Sequence, residues 1–331
     1  MFPDGLKKGD IVRIIAPSKS LSILEQKTIH IAEERLRRLG LTVTYGKNVW
    51  NKRQFYDSGT VDERIEDIHD AFSNKNIKAI LSVVGGYNSS QLLNKLDYSL
   101  IKNNPKIFCG LSDITALQNA IYAKTGLVTF SGPHFSNFGM LKGFEYTQKY
   151  FEKMFFDPCD SFLVESSKEY SSDVWYLNQE NRVFKKNEGM VPFRKGSAEG
   201  IIIGGNLCTL NLLQGTQYMP DLEDKILFIE DCNNLNSDFF CEFDRNLESL
   251  SQISSFSSVK AIVFGRAEDD SDMSLEKWET LLASKEYLRD IPIILNANIG
   301  HTTPVFTFPI GGGCKINVSE EKCQIILLKM S

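Results

Sequence analysis

The strongest constraint on how this chain folds is a rhythm in its N-terminal half, where short β-branched runs alternate with stretches of helical spacing. Ile11-Val12-Arg13-Ile14-Ile15 is one such run and stops at Ala16-Pro17-Ser18. Residues 22–39 follow, with Ile29, Ala32, Leu36 and Leu39 at helical intervals before Gly40. The same reading predicts a strand over 41–45, a helix over 61–73 and a strand over 79–84 broken by Gly85-Gly86. A helical turn over 89–95, a strand over 106–109 and a helix over 113–124 complete the series. Strand, helix, strand, helix is the pattern of a parallel sheet covered on both faces. Such sheets place their ligands at the carboxyl ends of the strands.

The second half predicts strands over 200–203, 226–229, 259–264, 291–296, 314–318 and 324–329, with helices near 206–213 and 274–284. It reads as mixed α/β with fewer clear crossovers. Between the halves, 157–197 is rich in Ser, Asn, Lys and Glu and lacks long regular spacing. It reads as an interdomain connection containing an ordered loop, since a structureless stretch of that length is unusual. The expected organisation is a first domain over 1–160, a connecting segment over 161–197 and a second domain over 198–331.

A length of 331 residues suits two domains. With 37 basic against 42 acidic side chains and a net charge of −5, no global basic field exists to hold a nucleic acid polymer or an anionic membrane. No apolar run reaches the ~18 residues that span a bilayer, and the opening MFPDGLKKGDIVRIIAPS lacks a secretory pattern. A cytoplasmic protein is expected. The seven cysteines contain no C-x-x-C pair and several sit in apolar runs, so they read as reduced and mostly buried. No two histidines have ligand spacing, so neither a metal nor another cofactor is expected.

Chemistry-bearing residues gather at predicted strand ends. In Lys106-Ile-Phe-Cys-Gly-Leu-Ser-Asp-Ile-Thr, a strand runs through Gly110 into Ser112-Asp113 and a helix. The plain reading is helix capping. The sharper one is a nucleophile turn whose serine projects at the strand end, where a helix N-terminus favours developing negative charge. A serine nucleophile needs a base, and there are four histidines. His30 and His69 lie in predicted helices. His134, in Ser131-Gly132-Pro133-His134, and His301, in Ile299-Gly300-His301-Thr302-Thr303-Pro304, lie in loops, and His301 is the better placed. Glu230-Asp231 closes the strand Ile226-Leu-Phe-Ile, so either carboxylate could orient the base. Gly85-Gly86 and Gly204-Gly205 match neither G-x-G-x-x-G nor a P-loop, but amides at such turns suit an oxyanion hole.

Taken in order, GDIVRIIAPS, VVGGYNSSQLL, GLSDITAL, GIIIGGNLCTLNLLQGT, ILFIED and IGHTTP resemble the LD-carboxypeptidase family of serine peptidases from residue 9 to residue 304. The resemblance implies a Rossmann-like N-terminal domain, a smaller C-terminal α/β domain and a site between them, usually in a homodimer. It implies a catalytic set of Ser112, Glu230 and His301, with the amides of Gly86 and Asp113 as the oxyanion hole. Two branches are relevant, one cleaving murein tetrapeptides and one, the microcin C immunity branch, cleaving the amide between a peptidyl or aminoacyl group and a modified nucleotide. Gly-Gly-Tyr-Asn-Ser-Ser differs from typical murein enzymes, which carry an Arg before the glycines and a Gly after the Tyr. EYSSDVWYLNQEN, over 169–181, is similar to an immunity-branch loop whose Trp stacks on the base. The match points to Trp175 as that residue and to Asn206 as a polar substrate contact, although a Trp there equally suits an apolar anchor for the loop. The acidic run Gly265-Arg266-Ala267-Glu268-Asp269-Asp270 matches no recognition element. A non-catalytic nucleotide-binding module and a murein enzyme are the rival expectations.

Overall fold

The computed structural model describes residues 1–157, 159–233 and 238–328. Its first sheet holds β1 (Ile11–Ile15), β2 (Thr42–Tyr45), β3 (Ile77–Ser82), β4 (Ile107–Gly110) and β5 (Thr129–Ser131). Neighbouring pairs among these five are all parallel. Helices α1 (Gln26–Arg38), α2 (Val61–Ser73), α3 (Tyr98–Asn103) and α4 (Thr115–Thr125) make the crossovers, and α5 (Glu145–Phe155) follows β5. Among these helices α2 and α3 start on side-chain caps, Asp97 accepting the Leu100 amide at α3. Thr60 and Glu63 form a reciprocal capping box at α2, satisfying two amides that the first turn leaves open.

Segment 161–197 contributes more structure than a connection. It supplies β6 (Ser161–Leu163), the small pair β7 (Glu169–Tyr170) and β8 (Lys185–Lys186), and β9 (Val191–Arg194). Then come β10 (Gly196–Asn206), β11 (Lys225–Glu230), β12 (Ala261–Gly265), β13 (Ile293–Ala297), β14 (Phe308–Ile310), β15 (Gly313–Val318) and β16 (Cys323–Leu328). The second sheet runs β6-β16-β15-β10-β11-β12-β13-β9, with β10 to β13 parallel. It recruits β6 and β9 from 161–197. In exchange β14 pairs antiparallel with β5 at the edge of the first sheet. Lys329, the expected end of the last strand, lies outside the described residues.

Crossovers in the second sheet are clearer than the spacing suggested. Helix α6 (Leu207–Asn211) follows β10, α7 (Phe239–Ser251) follows β11, and α8 (Leu275–Ala283) follows β12. The reading of 198–331 missed α7, although its buried Phe239, Phe243, Leu247 and Leu250 have helical spacing. The expectation of mostly buried cysteines also needs correction. All seven are free thiols, but only Cys109 and Cys314 are buried, and Cys241 is exposed on α7. Short apolar context places a cysteine on an element without saying which face it occupies. No helix among the described residues is long and apolar enough to cross a membrane.

The two sheets share one apolar core. Phe228 of β11 lies 5.0 Å from Phe308 of β14 and 6.4 Å from Phe306, ring to ring. Polar contacts fix the junction beside the site. Asn119 Nδ2 of α4 donates to the Gly204 carbonyl at 2.8 Å, and the Asn206 amide donates to Thr115 Oγ1 at 3.0 Å. Gly204-Gly205 therefore permits close docking of α4 against β10. A side chain on Gly205 would meet Thr115 Oγ1 at 2.5 Å. Gly204, at φ 135°, would drive a Cβ into the Phe228 carbonyl. We expect Gly204→Ala to destabilise the protein by about 3 kcal/mol or more, measured as a fall in the urea midpoint. A midpoint within experimental error of wild type would refute this account of the junction.

Candidate active site

Strand β4 delivers Ser112 to the junction. Leu111 is still extended, at φ −145°, and Ser112 then turns to φ 60°, a left-handed conformation that costs a non-glycine residue about 1–3 kcal/mol. The chain continues through a 3₁₀ turn over Ser112–Ile114 into α4. Helix capping does not explain Ser112-Asp113, because the N-cap of α4 is Ile114 and has no side-chain bond. Ser112 Oγ instead lies 3.0 Å from His301 Nε2, and His301 Nδ1 lies 2.7 Å from Glu230 Oε2.

Each partner is held by its own element. Glu230 ends β11 in register with Asn206 of β10 and is 5% exposed. Gly300 stands before His301 at φ 100°, where a Cβ would lie 2.6 Å from Glu230 Oε2, so only glycine lets the loop close onto that carboxylate. Asp231 points elsewhere, accepting bonds from the amides of Cys208 and Cys232 and from Asn206 Nδ2. Burial alone would lower the His301 pKa. The charge and hydrogen bond of Glu230, helped by Glu268 and Asp231, reverse that and push it up to about 9. Glu268 belongs to the unmatched acidic run. It accepts the Asn233 amide at 2.6 Å, and burial raises its own pKa.

Asp113 is 1% exposed and builds the opposite wall. Its Oδ2 accepts Ser18 Oγ at 2.6 Å, the Asn88 amide at 3.0 Å and the Ser89 amide at 2.9 Å. Ser89 Oγ donates back to the Asp113 carbonyl at 2.6 Å. Turns after β1, β3 and β4 are thereby tied together, which brings the Gly85-Gly86 turn beside Ser112. Arg64 of α2 completes the tie by donating to Pro17 O, Asn88 O and Asn88 Oδ1. Among the described residues neither the Gly86 amide nor the Asp113 amide has an acceptor. Ser18, Arg64 and Asn88 were not singled out from the sequence. Ser18 carried a strand-end signal, whereas nothing local marks an arginine on the second helix.

Asn206 caps α6. Its Oδ1 accepts from the Thr209 amide and hydroxyl, and its Nδ2 donates to Asp231. Trp175 is half-buried, packed on the core and set edge-on to Tyr176 at 5.9 Å. Its loop is tied to the His301 loop by a reciprocal backbone pair, Ser171 with Thr303, at 2.8 Å in both directions. Arg182 clamps the same loop by donating to Asp173 Oδ1 at 2.7 Å and to the Lys142 carbonyl at 2.7 Å. Among the described residues no group of three His, Cys, Asp or Glu side chains could hold a metal. A serine hydroxyl, an imidazole and a carboxylate in this order can perform acyl transfer.

Comparison with known proteins agrees with that chemistry. Residues 12–132 match the family model of the LD-carboxypeptidase N-terminal domain, and residues 199–316 match that of the LD-carboxypeptidase C-terminal domain. The structure of an MccF-like protein from Bacillus anthracis (strain Ames) superposes with a TM-score of 0.97 at 51% identity, covering 100% of both chains. The microcin C7 self-immunity protein MccF of Escherichia coli is 32% identical, over 97% of this chain and 94% of its own length. MccF solved in complex with aspartyl sulfamoyl adenosine superposes with a TM-score of 0.89 at 31% identity, over 100% of both chains. A Bacillus subtilis protein named "Probable murein peptide carboxypeptidase" is likewise 32% identical, over 98% of this chain and 93% of its own length. With both domains matched in order, the chain belongs to the LD-carboxypeptidase family of serine peptidases.

Proposed function

We propose that Ser112, His301 and Glu230 cleave the amide that joins an aminoacyl or peptidyl group to a modified nucleotide. The observation that carries the catalytic part is the unbroken hydrogen-bonded series from Ser112 Oγ through His301 to Glu230 Oε2. Ser112 Oγ attacks the carbonyl carbon while His301 Nε2 takes its proton. The amides of Gly86 and Asp113 receive the carbonyl oxygen as it becomes an oxyanion. The C–N bond then breaks, His301 returns the proton to the leaving nitrogen, and water releases the acyl group from Ser112 by the same steps in reverse order.

Support for the nucleotide side comes from the Gly-Gly-Tyr-Asn-Ser-Ser turn, from Trp175 on a loop tied to that of His301, and from relatives solved with aminoacyl sulfamoyl nucleotides. Murein tetrapeptide cleavage is the second reading, because identity to the murein-named relative equals that to MccF. We expect kcat/KM for aspartyl sulfamoyl adenosine to exceed that for a murein tetrapeptide by a factor of about 100 or more, on the order of 3 kcal/mol of transition-state discrimination. Trp175→Ala should raise KM for the nucleotide substrate about 5- to 100-fold, the range of one lost base-stacking contact. A tetrapeptide preference would replace the nucleotide reading with the murein one. Unchanged KM in the Trp175 variant would return that residue to an anchoring role.

A further inference from the structure

His134 is the loop histidine that does not contact Glu230. It is 4% exposed, and its Nδ1 lies 2.7 Å from Ser82 Oγ at the end of β3. The other acceptor within reach of Ser82 Oγ, the Cys109 carbonyl, is at 3.4 Å. Donation by Ser82 Oγ across the shorter contact puts the imidazole proton on Nε2, whereas donation to the Cys109 carbonyl puts it on Nδ1. That Nε2 is buried and bonds no group among the described residues.

Its position relates it to the nucleophile. A Cβ on Gly85 would lie 3.5 Å from His134 Nε2, 3.2 Å from Ser112 Oγ and 3.0 Å from Ser112 Cβ. The same point near Gly85 is thus within 3.5 Å of both His134 Nε2 and Ser112 Oγ, and the missing side chain leaves that point open. Burial and the neighbouring His301 push the His134 pKa down to about 3, so the ring stays neutral at physiological pH. It can act as a donor there and not as the base.

A buried N–H without an acceptor costs stability, and unsatisfied groups of this kind concentrate where the reaction supplies the missing partner. At Ser112 the partner arises during turnover. When the hydroxyl gives its proton to His301, the oxygen gains negative charge and becomes a stronger acceptor. We propose that His134 is a further catalytic residue, whose neutral Nε2–H stabilises the charge that develops on the Ser112 oxygen. The inference rests on Ser112 being the nucleophile.

The test uses the full-length enzyme with aspartyl sulfamoyl adenosine, or with the murein tetrapeptide if that is the faster substrate. His134→Phe keeps an aromatic ring and removes the donor. It should lower kcat about 10- to 100-fold, with KM within twofold of wild type and the acid limb of the pH profile unmoved. Its Tm should hold or rise, because the unsatisfied donor is gone and Ser82 retains the Cys109 carbonyl. His134→Gln restores an N–H and should recover part of kcat. A folded His134→Phe enzyme with kcat within twofold of wild type would overturn the proposal. So would equal losses of kcat and Tm in both variants, since those mark a packing role. If Ser112→Ala keeps turnover, the nucleophile assignment fails and this inference with it. If Ser112→Ala is dead and His134→Phe is fully active, only the inference fails.

Discussion

Ser112→Ala is expected to lower kcat by about 10³-fold or more while leaving the fold intact, because among the described residues no other hydroxyl bonds His301 Nε2. Ser112 is half-buried at the end of β4 and among the described residues its side chain bonds only His301, so its removal opens no large cavity. Alanine keeps the left-handed backbone strain of φ 60°. Glycine relieves it. Ser112→Gly should thus be as inactive as Ser112→Ala but more stable, by about 1 kcal/mol. Single-turnover assays and urea midpoints on the pair separate the two effects. Substantial turnover by either variant would exclude Ser112 as the nucleophile. Equal midpoints would show that the strain is absent in solution.

Glu230→Gln should cost about 10³- to 10⁴-fold in kcat, as expected when a base loses the carboxylate that fixes its tautomer and stabilises its cation. The pH profile gives the sharper reading. His301 must be neutral to accept a proton, so wild-type kcat/KM should rise with pH through its raised pKa of about 9. Losing the Glu230 charge leaves burial as the largest influence on His301, and burial lowers the pKa. The acid limb of the variant should therefore move to lower pH while the plateau falls. The fraction of neutral base at pH 7 goes up and the rate goes down. That combination separates loss of orientation and charge support from simple loss of base.

Linkage adds a stability signature. A folded-state pKa above the unfolded value means that the His301–Glu230 pair contributes its stability in full below the unfolded pKa, ~6.5. That contribution is lost as pH rises through the folded value of about 9. The stability gap between wild type and Glu230→Gln should therefore narrow from pH 6.5 to pH 9. A gap that widens over that range would show that the His301 pKa is not raised.

Much of the N-terminal sheet was legible because its signals are local. The helix over 61–73 was readable from end to end, since a capping box and a buried apolar stripe mark it within one span of chain. Strands β1, β2 and β4 were placed within a residue or so for the same reason. The segment 161–197 was not, because β6 and β9 are short edge strands whose order comes from pairing with β16 and β13, far away in sequence. The return of β14 to the first sheet has no local mark at all.

At the site, the sequence by itself determined the candidates. Apolar strands ending in Ser112, Glu230-Asp231 and the loop of His301 put reactive groups at carboxyl ends, which follows from alternation and turn chemistry alone. Tertiary structure decided which of them meet. Ser112 and His301 are 189 residues apart in sequence, and only the docking of α4 on β10 brings their side chains to 3.0 Å. It turned Asp231 toward Asn206 and left Glu230 facing the imidazole. It also gave Asp113 a carboxylate tie across three turns and placed His134 Nε2 and Ser112 Oγ around the same open position at Gly85. Periodicity and turn residues act over a few neighbours, so they specify elements and their ends. Which ends share a site depends on how two sheets pack around a common core, and that is settled by contacts between residues that no short stretch of sequence contains.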